Sequence, residues 1–378
     1  TGIVQKRTNV GKTCALLCSE GITPDSFWLV QAGVRGYCLH QSDARAEGDM
    51  TKLVTILGGS GFVGRYVARR MALAGWRVRV ATRRPNERMF VRTYGAVGQV
   101  EPVLCNIRDE ASLRAVISGA DAVINCSGIL IESGKNTFGA VQSEGAGRVA
   151  RIAAEAGVSR LVHISAIGAD AGSDSDYART KGEGEDAVLA AFPSAVILRP
   201  SIIFGTEDEF FNRFAGMTRF SPVLPISGGD TRFQPVYVDD VAQAAALAAQ
   251  GNAESGVYEL GGPEVDTFRG LMQMMLDEIR RHRIIINMPG FLARFVARLL
   301  GVAQFLTAGL FTNSMLTLDQ IKNLGRDNVV AEGAKGLADL GIDPTPMDLI
   351  LPDYLWRFRP TGQYMAMREA TKSLRGQE

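Results

Sequence analysis

Leu53-Val54-Thr55-Ile56-Leu57-Gly58-Gly59-Ser60-Gly61-Phe62-Val63-Gly64 is the stretch that decides the fold. Its first five residues have the length and β-branched content of a strand buried in a parallel sheet. Gly58, Gly61 and Gly64 follow, and Phe62 to Ala74 is amphipathic at helical period. Strand, glycine turn and helix in that order point to a dinucleotide site, which a glycine triad alone does not. Gly58 permits the tight turn, and Gly61 lets backbone approach a pyrophosphate. Gly64 lets the helix lie close on the strand. Around Ser60, Gly61, Phe62 and Val63 the helix start offers free N–H groups and a partial positive charge to phosphates. The competing reading is a tight turn with no ligand.

From Met50 onward the alternation continues. Arg77-Val78-Arg79-Val80-Ala81-Thr82 reads as a second strand after the Gly75 helix stop, Val100 to Leu104 as a third and Ala122 to Asn125 as a fourth. A helix follows over about Phe138 to Ala156, closed by Gly157. Leu161 to Ile164 is a fifth strand, Tyr177 to Ala191 a helix, and Ala195 to Leu198 a sixth strand. Strands alternating with helices predict an α/β, doubly wound parallel-sheet Rossmann fold with right-handed crossovers. Ligands of such sheets lie beyond the carboxyl ends of the strands.

Those ends carry the candidate site. After the second strand stand Arg83 and Arg84, where an acidic residue would suit the ribose hydroxyl of NAD; an arginine suits a 2′-phosphate. The alternative is two solvated arginines opening a helix. After the third strand, Asn106 and Ile107 are placed to cap an adenine, and Asp109 to N-cap the next helix. After the fourth, Asn125-Cys126-Ser127-Gly128 is small and close to the glycine turn, and its backbone is expected to line the middle of the cofactor. Tyr177 and Lys181 lie four apart on one helix face. A lysine there is expected to lower the phenol pKa and to hold a ribose.

The whole chain sets bounds. Its 378 residues are 46% hydrophobic and 21% charged, which is globular rather than disordered. A net charge of +1 gives no sign of nucleic acid. Five cysteines without framework spacing fit a reducing compartment, and Cys105 and Cys126 read as small hydrophobes at strand ends. The three histidines stand far apart in sequence, so no metal site is expected.

Residues 1–49 hold three of the cysteines, lack a clear period and end in a polar run. They read as a poorly ordered extension, with Met50 as the natural start. The mixed charges and missing apolar core argue against a targeting peptide. Val10-Gly11-Lys12-Thr13 resembles the end of a P-loop but lacks its earlier glycine and preceding strand. The expected division is this extension, a Rossmann domain over 50–262 with an inserted segment at about 206–235, and a smaller, mostly helical lobe and tail over 263–378. In that last part Phe291, Leu292, Phe295, Val296, Leu299 and Leu300 form an apolar stripe. It suits a packed core helix, a substrate-lobe helix, or a surface lying on a membrane or on membrane subunits.

With the glycine motif, the Tyr177/Lys181 pair, Leu198-Arg199-Pro200-Ser201-Ile202-Ile203-Phe204-Gly205 and Gln234-Pro235-Val236-Tyr237-Val238 in view, the chain resembles the extended, atypical short-chain dehydrogenases/reductases. The resemblance implies that Pro200 and Ile203 sit on the nicotinamide side. It places a Ser or Thr after the fifth strand to orient a carbonyl. Here Ser165 reads as a structural hydroxyl and Ala166 takes the catalytic position, so no catalytic residue is assigned.

Thr82-Arg83-Arg84-Pro85, Phe204-Gly205-Thr206-Glu207-Asp208 and the late Leu340-Gly341-Ile342 with Thr345-Pro346 are similar to the nucleotide-binding accessory subunit family of respiratory complex I. That resemblance implies a tightly held NADPH without turnover. It also implies contact with other complex I subunits near the quinone site, and peripheral membrane contact. The location implied is the cytoplasmic face of a bacterial inner membrane, or the matrix side in a mitochondrion. The lack of an obvious presequence favours the bacterial case. A soluble NADP-dependent reductase or sugar-nucleotide epimerase is the alternative.

Overall fold

β1 (Leu53–Leu57) is buried at every residue, as a strand covered on both faces must be. The computed structural model describes residues 52–292, 295, 319, 322, 324–360 and 362–364. The chain divides after Asp49, and every described residue belongs to the unit Met50–Glu378. The expectation for residues 1–49 falls outside the described residues.

β1 leads through the glycine turn into α1 (Phe62–Leu73), then β2 (Arg77–Thr82), β3 (Val100–Leu104), α2 (Glu110–Ile117) and β4 (Ala122–Asn125). The expected helix at 138–156 is real, but its first turn, Gly139–Ser143, is a π-helix before α3 (Glu144–Glu155). β5 (Arg160–Ile164), α4 (Asp176–Ala191) and β6 (Val196–Pro200) complete the predicted alternation. Then come α5 (Phe211–Met217), β7 (Val223–Ile226), α6 (Val238–Gln250), β8 (Gly256–Leu260), α7 (Phe268–Glu278), β9 (Ile284–Asn287) and α8 (Met347–Leu355).

The main sheet has seven strands in the order β8-β6-β5-β4-β1-β2-β3, all parallel. Its order reverses between β1 and β4, the switch point at which such sheets take a ligand. Two apolar layers cover it. Val67, Met71, Ala244, Ala245 and Ala248 of α1 and α6 pack on one face; Leu113, Val149, Ile152 and Val188 of α2, α3 and α4 pack on the other.

A second lobe has its own core. Phe204, Phe211, Leu224, Phe268, Met272, Met275, Leu351 and Tyr354 are packed together there. It is assembled from the inserted segment, from α7 and from α8, so chain far apart in sequence builds it jointly. Within it, the buried Asp208 carboxylate accepts from Tyr354 Oη at 2.6 Å and from the N–H groups of Gly205 and Asn212. Leu337 and Ile342 return instead to the core of the main sheet.

The turn after β1 is held by close approach. Gly58 has φ +70°, and a Cβ there would lie 3.0 Å from the Cys126 carbonyl oxygen. A Cβ on Gly64 would lie 2.4 Å from the Gly58 carbonyl oxygen, with no flexible atom to yield. Gly64→Ala is therefore expected to lower unfolding free energy by about 1–3 kcal/mol, the range for overpacking; urea titration of the two proteins measures it, and equal midpoints would refute the close-packing assignment.

Candidate functional site

Glycine turn, strand ends and α4 converge at the switch point. α1 begins at Gly61 with no side-chain cap and no acidic residue in its first turn. Its first N–H groups thus remain available to an anion. Ser60 is buried and its Oγ donates to Thr82 Oγ1 at 3.1 Å, tying the turn to the end of β2. Phe62 and Val63 are half-buried, and Val63 packs on the core.

The two arginines after β2 part company. Arg84 pairs with Glu87 at 3.3 Å. Arg83 is exposed and makes no hydrogen bond or ion pair with any described residue. A 2′-phosphate would meet Arg83 unencumbered, whereas Arg84 would have to leave Glu87.

After β3, the Asn106 Oδ1 accepts from the Arg108 N–H at 3.2 Å, so that side chain is turned into its own loop. Ile107 packs into the layer beneath α3. Asp109 N-caps α2 as expected, accepting from Ala111 N–H. After β4, Ser127 N–H donates to Asn125 Oδ1 at 3.1 Å. Gly128 is exposed, and a Cβ there would lie 3.6 Å from Lys181 Nζ. Pro200 is buried at the end of β6 and Ile203 is half-buried against the core.

α4 owes its position to small residues. A Cβ on Gly184 would lie 2.2 Å from the Gln142 carbonyl oxygen, and one on Gly182 2.3 Å from the Ala171 nitrogen. The helix therefore lies close against α3 and the loop after β5. Lys181 is buried there, its Nζ donating to the Ile164 carbonyl at 3.2 Å. Burial lowers its pKa to about 8, against the pull of Glu185. Tyr177 stacks edge-to-face on Phe138 at 5.9 Å.

The expectation of a lowered phenol pKa is wrong. Burial, and then the Asp319 carboxylate, push Tyr177 up to about 12. Asp319 accepts from Ser175 Oγ, Asp176 N–H and Tyr177 N–H at 2.8–3.2 Å, a carboxylate at the amino end of α4. It stands 142 residues from Tyr177, so sequence offered no signal for it.

Beneath these groups lies a pair of polar side chains that was not expected, Asn125 having been read for its backbone alone. Asn125 and His163 are both about 1% exposed, and Asn125 Nδ2 lies 3.2 Å from His163 Nδ1. An amide NH₂ only donates, so Nδ1 accepts and the ring carries its proton on Nε2. That Nε2 and the Ser165 Oγ are buried without a partner among the described residues. The Ser165 hydroxyl therefore makes no strand-ending bond among the described residues, while its N–H continues the pairing with β6 by donating to the Leu198 carbonyl at 2.7 Å. Polar residues inside two buried strands were the available signal. The thiol of Cys126, next to Asn125 in the chain, is pushed up to about 12 by burial.

Asp319, Lys322 and residues 324–336 cross the carboxyl edge. Lys322 Nζ donates to the Asp174 carbonyl, and Asn328 Nδ2 to the Ile167 carbonyl. Ser201 Oγ donates to Asn328 Oδ1 at 2.6 Å, and Gln234 N–H to the Asn328 carbonyl at 3.1 Å. This strap joins the loops after β5 and β6 to the second lobe. A cavity of about 240 Å³ lies under it, lined by Ser173, Asp174, Ser175, Lys322 and Arg326. A larger one of about 580 Å³ is remote from the glycine turn, between α7 and α8.

The glycine cradle, the uncapped helix start and the two unpartnered polar atoms suit a nicotinamide dinucleotide. The NAD dependent epimerase/dehydratase family model matches residues 54–261. The chain belongs to that family. Over most of its length it is similar to subunit 9 of the NADH dehydrogenase [ubiquinone] 1 alpha subcomplex from Arabidopsis thaliana mitochondria, at 34% identity covering 82% of this chain and 79% of that protein. A ceramide reductase of Caulobacter vibrioides is 36% identical over 58% of this chain and 68% of its own. Among solved structures, the NADPH-dependent quinone oxidoreductase of Escherichia coli complexed with NADPH superposes with a TM-score of 0.61 at 18% identity, over 80% of this chain and 98% of that one. The last likeness concerns the fold alone.

Burial pushes His163 from an ordinary 6.5 down to about 3. Unfolding frees it to take a proton that the folded chain refuses. Stability contributed by the neutral ring is thus present above pH 6.5 and lost progressively as pH falls toward 3, at about 1.4 kcal/mol per pH unit. His163→Asn should flatten this acid limb in denaturant titrations between pH 7 and 4; an unchanged slope would show that His163 does not govern it.

Proposed function

We propose that this chain is an accessory subunit of a proton-pumping NADH:ubiquinone oxidoreductase that holds NADPH without turning it over. It sits peripherally among other subunits of that complex, near its quinone site, on the cytoplasmic face of a bacterial membrane or the matrix side of a mitochondrial one. The Arabidopsis thaliana relative, similar over 82% of the chain, supports the assignment to that complex.

The observation that carries the non-catalytic reading is the state of the proton-handling groups. Ala166 supplies no hydroxyl where the family places one. Tyr177 is held protonated, at about 12, by burial and Asp319. Lys181 already donates to a backbone carbonyl. A phenol so placed is a poor proton donor near neutral pH, because losing its proton leaves a buried anion beside a carboxylate. The residues that hold the cofactor are Gly58, Ser60, Gly61, Phe62 and Val63 for the pyrophosphate. Arg83 takes the 2′-phosphate. Ser127, Gly128, Ser165, Tyr177, Lys181, Pro200 and Ile203 line the nicotinamide half. When bound, a nicotinamide can accept or give hydride; here the chain's own groups bind and orient it. Binding to the folded state alone stabilises the chain by mass action.

A second reading keeps one supporting observation. Tyr177 and Lys181 remain on one face of α4, and the Caulobacter vibrioides relative is a reductase. An NADP-dependent carbonyl reductase would need that same pair.

Two measurements decide. Arg83→Glu is expected to weaken NADPH binding by roughly 10–100-fold, the loss of one charge-assisted phosphate contact and gain of a repulsive one, while leaving NADH nearly unchanged; equal loss for both would refute the phosphate assignment. Purification of the native chain from membranes is expected to bring down NADH:quinone reductase activity. A chain recovered free, oxidising NADPH with added carbonyl compounds in a manner abolished by Tyr177→Phe, would establish the reductase instead.

A further inference from the structure

In the second lobe two strands run side by side, and arginine stands ahead of both. β7 and β9 are parallel, with Val223 opposite Ile284, and Ile284 N–H donates to the Pro222 carbonyl at 3.2 Å. Arg219-Phe220-Ser221-Pro222 leads into the first of these strands and Arg280-Arg281-His282-Arg283 into the second. Arg283 Nε donates to the Thr218 carbonyl at 3.0 Å and fastens the two runs together. Arg281 Nε donates to the Phe358 carbonyl at 2.8 Å.

These guanidiniums spend their hydrogen bonds on backbone carbonyls, which leave their charge uncancelled. The Arg219 side chain makes no hydrogen bond or ion pair with a described residue. The neighbouring Glu278 carboxylate, at the end of α7, is taken by Arg359. Arg281 is lowered from the ordinary arginine range by burial and then by the nearby Arg283 and Arg219, both of which stand within electrostatic reach of it.

Exposed apolar side chains adjoin the cluster. Phe220, next to Arg219, is 91% exposed, and Ile284, next to Arg283, is 66% exposed. Ile286, Phe291, Leu292 and Phe295 continue the exposed apolar run. The described part of the predicted stripe, Phe291, Leu292 and Phe295, is therefore on the surface and not in a core. Arg219, Arg281 and Arg283, without carboxylate partners among the described residues and beside solvent-facing Phe and Ile, match the boundary between phosphate headgroups and acyl chains. A guanidinium fork fits a phosphate diester by two parallel hydrogen bonds.

We propose that this face of the second lobe lies on an anionic phospholipid surface, with Arg219, Arg281 and Arg283 on headgroup phosphates and Phe220, Ile284 and Phe291 in the acyl boundary. The inference rests on the peripheral membrane location proposed above and supplies its contact surface and lipid charge.

The test is sedimentation of the full chain with phosphatidylcholine vesicles, with and without phosphatidylglycerol. Binding is expected only with the anionic lipid, and to weaken as salt rises. Arg219→Gln with Arg281→Gln should bind about 25-fold more weakly, at roughly fivefold for each charge removed. Phe220→Ser should weaken binding severalfold, and Arg92→Gln, on the far side of the main sheet, should not. Thermal unfolding checks that each variant is folded. Should the double variant lose its fold, Arg219→Gln alone, which removes no described bond, carries the same test with a fivefold effect. No binding by the native chain, equal binding to neutral vesicles, or undiminished binding by the arginine variants would overturn the proposal; in the last case a protein surface would be the better occupant. Co-purification with quinone reductase activity is read separately, so it can stand where the lipid contact falls.

Discussion

The contact between Gly64 and the Gly58 carbonyl sets the geometry on which the site depends. With no Cβ between them, the first turn of α1 lies directly on the loop that ends β1. That places free N–H groups at the switch point of the sheet rather than a side chain's width away. Gly58 then meets the Cys126 carbonyl, which brings the β4 loop to the other side of the same space. α4 is set by the same device, through Gly182 and Gly184. Close backbone approach, repeated at these positions, shapes the cradle before any side chain is considered.

The sheet and its flanking helices were legible because their signals are local. Apolar runs of strand length separated by amphipathic helices leave few arrangements, and β1 to β6 fall where expected. The glycine turn was legible for the same reason. Arg83 and Arg84 looked equivalent in sequence, and only the ion pair with Glu87 separates them. Asn106 looked free to reach outward, but its amide oxygen is closer to the Arg108 N–H of its own turn.

What sequence could not show depends on distant chain. Tyr177 and Lys181 sit as the i, i+4 spacing requires, yet Asp319 and burial reverse the expected direction of the phenol's titration. His163 stood in sequence only as one residue of a strand, and the structure sets Asn125 opposite its Nδ1 and no described residue opposite its Nε2. The second lobe likewise joins the inserted segment to α7 and α8, a union of segments that no periodicity announces.

The strap has a mechanical consequence. Asn328 by itself bonds to Ser201, Ile167 and Gln234, so the loops after β5 and β6 are sutured to the second lobe at one residue. Separating the lobes means breaking those bonds together, as a unit of local unfolding rather than a breathing motion. A molecule held against the ends of β5 and β6 would leave at the pace of that unfolding, and its residence would be measured by the stability of the suture more than by its own contacts.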